Sequence, residues 1–131
     1  MARRKTQTEL DILLEEIKEK VTRNFSTDAI VLFGSYAKGT ATEYSDIDVA
    51  VVSPDFNYDS PMCDNSFLVT KTTKLYDPDL QILAFNSDKY FNETYIDPNF
   101  IKEIKRTGKI IWSKANTPKL ALRDERHDKS H

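Results

Sequence analysis

The chain has 131 residues, of which 39% are hydrophobic and 31% charged, with a formal net charge of −2. This length predicts one domain with its own core, and the weakly acidic balance argues against a nucleic-acid polymerase, whose substrate groove is normally basic. The single cysteine, Cys63, excludes an internal disulfide and is typical of a reducing cytoplasm, and no stretch indicates a membrane span or a secretory signal.

The first predicted element is an amphipathic helix that begins near Thr8. Its apolar residues recur at intervals of three and four along one face: Leu10, Leu13, Leu14, Ile17 and Val21. Charged residues fill the opposite face, which predicts a helix packed on a sheet. The apolar run at Ala29–Phe33 then predicts a buried strand.

A glycine turn and two aspartates follow this strand. Gly34 and Ser35 come directly after it, and ten residues separate them from Asp46 and Asp48, which begin a second apolar strand at residues 47–52. A glycine lets the backbone approach a ligand closely, and N–H groups at the start of a helical turn attract phosphate. Strand residues two apart point to one face, so the two carboxylates should repel each other unless a cation such as magnesium lies between them. This combination indicates chemistry on a nucleoside triphosphate.

The middle of the chain predicts a loop, a weak helix and a third strand. Residues 53–61 are rich in turn-forming residues, and residues 62–75 have a helical pattern that several β-branched residues weaken. Asp77 and Pro78 interrupt the chain before an apolar strand at residues 80–85.

One more helix and one more strand are predicted after that. Asp97 and Pro98 have the residue types of an N-cap and a first helical turn, and Gly108 ends the helix. Residues 109–112 then predict a short final strand.

The order of these elements predicts an α/β domain over residues 1–112, with a small mixed β-sheet and helices on one side. Residues 113–131 form a polar tail that we expect to be mobile. Both histidines, His127 and His131, lie in this tail, so neither a histidine-based catalytic site nor a zinc site is expected.

The pattern of Gly34 and Ser35, ten residues, then Asp46 and Asp48, set between two apolar strands, resembles the signature of the polymerase-beta-like nucleotidyltransferase superfamily. Within that group, the short chain is similar to the minimal nucleotidyltransferases (MNT), which are commonly paired with HEPN proteins. The resemblance is sharpest over residues 30–52. It implies the nucleotidyltransferase fold, a small mixed α/β sheet.

The resemblance also implies roles for the motif residues. Gly34 and Ser35 would hold the β- and γ-phosphates of the triphosphate, and Asp46 and Asp48 would hold Mg²⁺, with two ions expected. Lys38 stands where the family commonly has arginine and could reach a phosphate as a point charge, although a solvated surface lysine is an equal alternative.

Family members usually add a third carboxylate, which binds metal and helps to deprotonate the attacking hydroxyl. Asp79, just before the third strand, is the candidate for this metal and catalytic role, and Asp77 is the second choice. Gln81 shares a strand face with Asp79 and could occupy the carboxylate position instead, which would leave the enzyme weak or inactive. Tyr36 and Tyr44 are near enough to contact a base or ribose, but plain packing is the stronger expectation for both.

The function that the resemblance implies is Mg²⁺-dependent transfer of AMP from ATP to a hydroxyl, with release of pyrophosphate. The acceptor it implies is a tyrosine of a HEPN-type toxin, which would make this chain an antitoxin in the cytoplasm. A small-molecule acceptor, as in aminoglycoside adenylyltransferases, is one alternative, although the chain has no room for their additional helical domain. A catalytically silent module that neutralises its partner by contact is the other. Neither a nucleic acid nor a membrane is an expected partner, and a homo-oligomer is left open.

Overall fold

The described residues, 4–94 and 97–114, of this computed structural model form five helices and four strands. In chain order they are α1 (Gln7–Asn24), β1 (Ala29–Phe33), α2 (Gly34–Lys38), β2 (Ile47–Ser53), α3 (Met62–Thr73), β3 (Leu80–Asn86), α4 (Ser87–Asn92), α5 (Pro98–Thr107) and β4 (Lys109–Ser113). None of the helices in this part of the chain has the length and apolar character needed to cross a membrane.

The four strands form one mixed sheet in the order β3-β2-β1-β4. β1 is antiparallel to both β2 and β4, whereas β2 and β3 are parallel. The register places Asp48 of β2 between Phe33 of β1 and Gln81 of β3. The predicted α/β class with a small mixed sheet is therefore confirmed.

Helices cover both faces of this sheet. We call the face under α1 and α3 the closed face; the strand residues in its core are Ile30, Leu32, Ile47, Val49, Val51, Ile82 and Ala84. We call the face under α4 and α5 the open face; the strand residues in its core are Ala29, Val31, Phe33, Ala50, Val52 and Phe85. The prediction of helices on one side is wrong. All five residues of β1 are buried apolar residues, so this strand has no polar face to turn to water and needs a layer on each side.

The helix ends show where local sequence decides the structure. α5 has the predicted N-cap, Asp97, whose side chain accepts a hydrogen bond from the N–H of Asn99. α1 begins earlier than predicted because Thr6 and Glu9 form a reciprocal capping box. α4 is absent from the predicted elements, and the Asn86 side chain caps it.

The predicted mobile tail, residues 113–131, falls outside the described residues from position 115 onward. Ser113 itself still belongs to β4. The domain boundary at residue 112 therefore stays a prediction.

Candidate functional site

The glycine turn and the second aspartate of the motif meet where the central strand β1 ends and its neighbour β2 begins. Gly34 directly follows β1 and has a left-handed backbone with φ of 75°. A Cβ atom at this position would overlap the Oδ2 atom of Asp48. Only glycine provides both the positive φ and the space for this contact. The structure thus brings the two halves of the motif together.

The short helix α2 continues from this turn. Ser35 is its second residue and is half-buried, and Gly39 ends it with φ of 77°. Phe33, at the N-cap position, provides no side-chain hydrogen bond to the first N–H groups of α2. Those N–H groups begin the helical turn next to the Asp48 carboxylate, as an anion-binding turn requires.

The two motif carboxylates influence each other. Asp46 is exposed, whereas Asp48 is half-buried. Burial raises the pKa of Asp48 above its usual value, and the negative charge of Asp46 raises it further. Charge is therefore concentrated at one end of β2, at a cost that a divalent cation would relieve.

The loop before β2 is shaped by its own polar groups. The N–H of Thr42 donates to Ser45 Oγ over 2.9 Å, and the N–H of Tyr44 donates to Thr42 Oγ1 over 3.2 Å. These bonds hold the turn that leads into Asp46. Ser45 accordingly serves the shape of the loop.

The predicted third carboxylate lies in an ion cluster. Lys5 Nζ is 3.1 Å from Asp77 Oδ2 and 3.6 Å from Asp79 Oδ2. The hydrogen bond to Asp77 is the largest cause that raises the pKa of Lys5. Within residues 4–94 and 97–114, no group of three or more His, Cys, Asp or Glu side chains is placed to hold a metal ion. The structure thus brings together Asp46 and Asp48, and it places Asp79 with Asp77 around Lys5; the metal and catalytic roles of Asp79 stay predictions.

The nearest strand neighbour of Asp48 on β3 is an amide. Gln81 pairs with Asp48 in the parallel register, is exposed, and belongs to the same sheet face. The backbone of Asp79 is also close, since its carbonyl accepts a hydrogen bond from the N–H of Ile47 over 2.7 Å. A side chain that joins Asp48 from this side of the sheet would therefore come from Gln81 on β3 or from Asp79, just before β3.

The other candidates around the motif have partners in the protein. Lys38 Nζ is 3.6 Å from Glu103 Oε2 on α5, and its contact with phosphate stays a prediction. The hydroxyl of Tyr36 accepts a hydrogen bond from the N–H of Lys5 over 2.9 Å, and its ring packs against the closed-face core. Tyr44 is 81% exposed.

Two features of the site are not predicted by the sequence. The first is Lys5, which precedes α1 and matches no motif. The second is a pocket of about 630 Å³ beside the open face, lined by Asp59, Ser60, Pro61, Met62, Phe85, Lys89, Thr94, Asp97 and Phe100. An aromatic row connects it to the motif, because the ring of Phe100 lies 5.9 Å from that of Phe33 and 6.5 Å from that of Phe85.

Comparison with known sequences gives one family and several relatives. The sequence profile of the nucleotidyltransferase domain family matches residues 14–119. Three proteins of Methanocaldococcus jannaschii, provisionally named as protein adenylyltransferases, share parts of the sequence. MJ1305 is 48% identical over 46 residues, which are 34% of this chain and 31% of the relative. MJ1379 is 41% identical over 56 residues, which are 43% of this chain and 56% of the relative. MJ0604 is 33% identical over 84 residues, which are 63% of this chain and 76% of the relative. The matched region thus spans about a third of MJ1305 and about half of MJ1379.

Solved structures share the fold at low sequence identity. A provisionally named nucleotidyltransferase from Sulfolobus solfataricus has a TM-score of 0.54 at 17% identity, covering 81% of this chain and 82% of its own. A chain of a toxin–antitoxin complex with AMP-PNP has a TM-score of 0.56 at 20% identity, covering 83% and 80%. A chain of the tri-AMPylated Shewanella oneidensis HEPN toxin in complex with MNT antitoxin has a TM-score of 0.53 at 17% identity, covering 86% and 79%.

Proposed function

Because the chain belongs to the nucleotidyltransferase domain family, we propose that it transfers AMP from ATP to a hydroxyl of a HEPN-type toxin. The enzyme class, a nucleotidyltransferase, comes with the family. Beyond that class, we propose ATP as the nucleotide, Mg²⁺ as the metal, a HEPN-type toxin as the acceptor and an antitoxin role for this chain.

The observation that carries the proposal is the contact between Gly34 and the Asp48 carboxylate. In this contact, a turn of the kind that binds phosphate lies against one of the two carboxylates, at the end of the central strands β1 and β2. A strand aspartate with a purely structural role would not require a glycine against its oxygen. A bound triphosphate with its cation would use both groups at once.

The residues present fit magnesium. Asp46 and Asp48 offer carboxylate oxygens, which hard cations prefer, and both burial and mutual repulsion disfavour the charge of Asp48 when no cation is bound. One or two divalent ions held by this pair would neutralise phosphate charge and stabilise the entering and leaving oxygens.

The protein's own groups would then orient an in-line displacement. The N–H groups of Gly34 and Ser35 would bind the β- and γ-phosphates. The acceptor oxygen would form a bond to the α-phosphorus, the bond from that phosphorus to the bridging oxygen would break, and pyrophosphate would leave. We propose that the carboxylate of Asp79 takes the proton of the attacking hydroxyl and contributes to metal binding. For either role it would have to exchange its contact with Lys5, whose Nζ is now 3.6 Å away.

An exposed site favours an acceptor on another protein. Asp46 and Tyr44 are both exposed, so the carboxylate pair lies at the surface of the part of the chain that the structure describes. A side chain that protrudes from a partner can reach such a site. The names of the M. jannaschii relatives and the AMPylated HEPN toxin of the Shewanella complex support a protein acceptor, and a tyrosine is the acceptor residue that we propose.

The test is a transfer reaction with purified proteins. The chain is incubated with ATP, Mg²⁺ and a HEPN-type partner, and intact-mass spectrometry measures adenylate on the partner. We expect a mass gain that Asp46→Asn lowers by about 10²–10³-fold, because it removes a ligand of a cation that would supply several kcal/mol of charge stabilisation. Glu43→Gln, an exposed neighbour in the same loop, should leave the mass gain unchanged.

The other outcomes assign the alternatives. Neutralisation of the partner without a mass gain, equal in wild type and Asp46→Asn, would establish a silent binding module. Adenylation of an aminoglycoside with no change on the partner would establish a small-molecule enzyme.

A further inference from the structure

We infer that the pocket beside the open face, lined by Phe85, Phe100, Met62 and their neighbours, binds the base and ribose of the nucleotide. This inference rests on the proposed function, because it assumes that the phosphates of the same nucleotide bind at Gly34 and Ser35. It assigns a binding role to α4, α5 and the loop before α3, none of which belongs to the motif.

The volume and the lining of the pocket suit a nucleoside. Its volume of about 630 Å³ lies in the range typical of small-molecule sites, ~300–1,000 Å³. The ring of Phe100 forms part of its wall, and base–aromatic contacts are a general way to hold a nucleobase, whereas Phe85, which also lines the pocket, has no exposed surface. Phe100 is 38% exposed, so its ring is partly available to a ligand.

The pocket is connected to the motif at a suitable distance. Phe33, which pairs with Asp48, lies edge-on to Phe100 at 5.9 Å between ring centroids. Phe85 pairs with Val52, four residues beyond Asp48 on β2, which corresponds to about 13 Å along the strand. Because Ala50 and Val52 are fully buried under α4 and α5, the base would reach the pocket over the partly exposed ring of Phe100.

This distance favours the base over the acceptor side chain as the occupant. An acceptor oxygen must come within about 3–3.5 Å of the reacting phosphorus, so its ring has to lie close to the carboxylate pair. The base is separated from the α-phosphate by the ribose and can occupy a more distant pocket. The charge of the pocket does not oppose this orientation, because two carboxylates, Asp59 and Asp97, outnumber the one cation of the lining, Lys89, and leave it without a net attraction for the phosphate end.

The aromatic residues of the motif are weaker candidates for the base. The hydroxyl of Tyr36 is bound by the N–H of Lys5, and its ring packs against the closed-face core. Tyr44 is 81% exposed, so a base stacked on it would be covered on one side at most. The pocket encloses a ligand from several elements, and Tyr44 does not.

Binding measurements with two probes separate the base from the phosphates. Calorimetry with Mg²⁺ compares ATP with inorganic tripolyphosphate in wild type, Phe100→Ala and Ser60→Trp. The tryptophan fills the pocket from its loop and removes no core contact. We expect Phe100→Ala to weaken ATP binding by about tenfold, as is typical for the loss of a base–aromatic contact. Ser60→Trp should weaken ATP binding at least as much because it fills the pocket, and both variants should leave tripolyphosphate binding unchanged. Phe67→Ala, a 67% exposed phenylalanine on α3, is the matched control and should change neither affinity.

Photolabelling with 8-azido-ATP gives an independent position. We expect the label in peptides that contain residues 59–62 or 97–100. Labelling of Tyr44, together with an ATP affinity that Tyr44→Ala lowers and Phe100→Ala does not, would overturn the inference.

The two proposals can fail separately. If Asp46→Asn weakens the binding of both probes while the pocket variants bind ATP like wild type, the pocket assignment is wrong and the proposed function stands. If the wild-type chain binds neither ATP nor tripolyphosphate, the proposed function is wrong and the pocket assignment is lost with it.

Discussion

The two faces of the sheet differ in what they bury. On the closed face, α1 and α3 cover a continuous apolar core, and Ile17, Val21 and Val69 have no exposed surface. The open face has an apolar core as well, but it ends in a half-buried carboxylate, Asp48, and an exposed amide, Gln81. Burial of apolar surface accounts for the stability of the closed face. The open face also carries the charge of Asp48, which a structural role would not require.

A single strand provides both kinds of face. Ile47, Val49 and Val51 of β2 belong to the closed-face core, whereas Ala50 and Val52 belong to the open-face core. Successive strand side chains alternate between faces, so Asp48 points to the open side. Stability and chemistry are therefore separable by residue position along one strand, and substitutions on the two faces should have different consequences.

The open face also buries polar and charged side chains of α4 and α5. The hydroxyl of Tyr90 is buried and has no hydrogen-bond partner among the residues that the structure describes, and burial raises its pKa well above the usual value. Nearby, the buried Lys105 places Nζ 3.1 Å from Glu93 Oε2 and 5.1 Å from the centroid of the Tyr90 ring. On the closed face, α3 also buries two polar side chains, Asn65 and Thr73, but both donate hydrogen bonds to backbone carbonyls.

The largest effect on chemistry should come from the proposed base. Asp79→Asn is expected to lower transfer by about 10²–10⁴-fold, because the amide can neither accept the proton nor bind metal as a carboxylate does. The fold should be intact, since Asp77 retains the ion pair with Lys5 at 3.1 Å. Steady-state transfer with a HEPN-type partner measures the loss.

Asp77→Asn is the matched control, because it removes the other carboxylate of the same cluster. Loss of transfer in Asp77→Asn with full activity in Asp79→Asn would move the role to Asp77. Full activity in both variants would exclude a third carboxylate at this cluster. Gln81→Glu, which places an acid next to Asp48, should then raise transfer if that position limits the reaction.

On the closed face, Ile17→Ala should lower stability without a specific effect on chemistry. The side chain is fully buried, and such truncations typically cost about 2–5 kcal/mol of unfolding free energy. Urea denaturation measures the cost, and transfer per folded molecule should equal that of wild type. Ile12→Ala is the control, since Ile12 lies on the same helix and is 65% exposed, and it should change stability by less than about 0.5 kcal/mol. A specific loss of transfer in folded Ile17→Ala would contradict the separation of the two faces.

Gly34→Ala should lower both stability and transfer, because Gly34 lies between the buried strand β1 and the Asp48 carboxylate. The new Cβ would overlap Asp48 Oδ2, and we expect transfer to fall by about 10²-fold as the carboxylate is displaced. Gly39→Ala is a close control, because Gly39 has φ of 77° but a Cβ atom there would meet no other atom within 4 Å. Both variants should lose about 1–2 kcal/mol of stability from the left-handed backbone. Only Gly34→Ala should lose transfer; an equal loss in Gly39→Ala would mean that backbone strain alone is responsible.

The sequence is sufficient for the features that depend on neighbouring residues. The strand before Gly34, the N-cap at Asp97 and the end of the last helix at Gly108 are determined within a few positions, and the structure has them where they are predicted. The prediction that the second strand carries both aspartates holds for Asp48 only, because β2 begins at Ile47 and Asp46 lies in the preceding loop. Rules that depend only on neighbouring residues therefore predict the part of the site that the motif forms.

The remaining features depend on contacts between distant residues. Lys5 meets Asp77 and Asp79 only after the sheet has formed, and no pattern near Lys5 indicates these partners. The pocket likewise requires the loop before α3 to approach α4 and α5. A signal for α4 was present, since Asn86 followed by Ser87 and Asp88 has the residue types of a helix start, but the helix has only six residues and carries little periodicity.

The smallest expected effect is a gain in stability at the site itself. Burial, and then the charge of Asp46, raises the pKa of Asp48 in the folded chain above its unfolded value. Between these two pKa values the folded chain binds more protons than the unfolded chain. The free energy of unfolding therefore falls as pH rises through that window, and it stays lower above it.

The amide introduced by Asp48→Asn cannot ionise, so the free energy of unfolding of this variant should not fall across the window. At pH 7 it should be more stable than wild type by less than about 1 kcal/mol, because solvent screens a half-exposed charge. Below the window, where Asp48 is protonated in both states, the two proteins should be equally stable. Urea denaturation across the acidic range measures the difference, with Asp59→Asn as an exposed carboxylate control. A variant that is less stable than wild type at pH 7 would show that the folded chain compensates this charge. A more stable variant that has also lost transfer would show that the open face retains the charge for chemistry at the expense of stability.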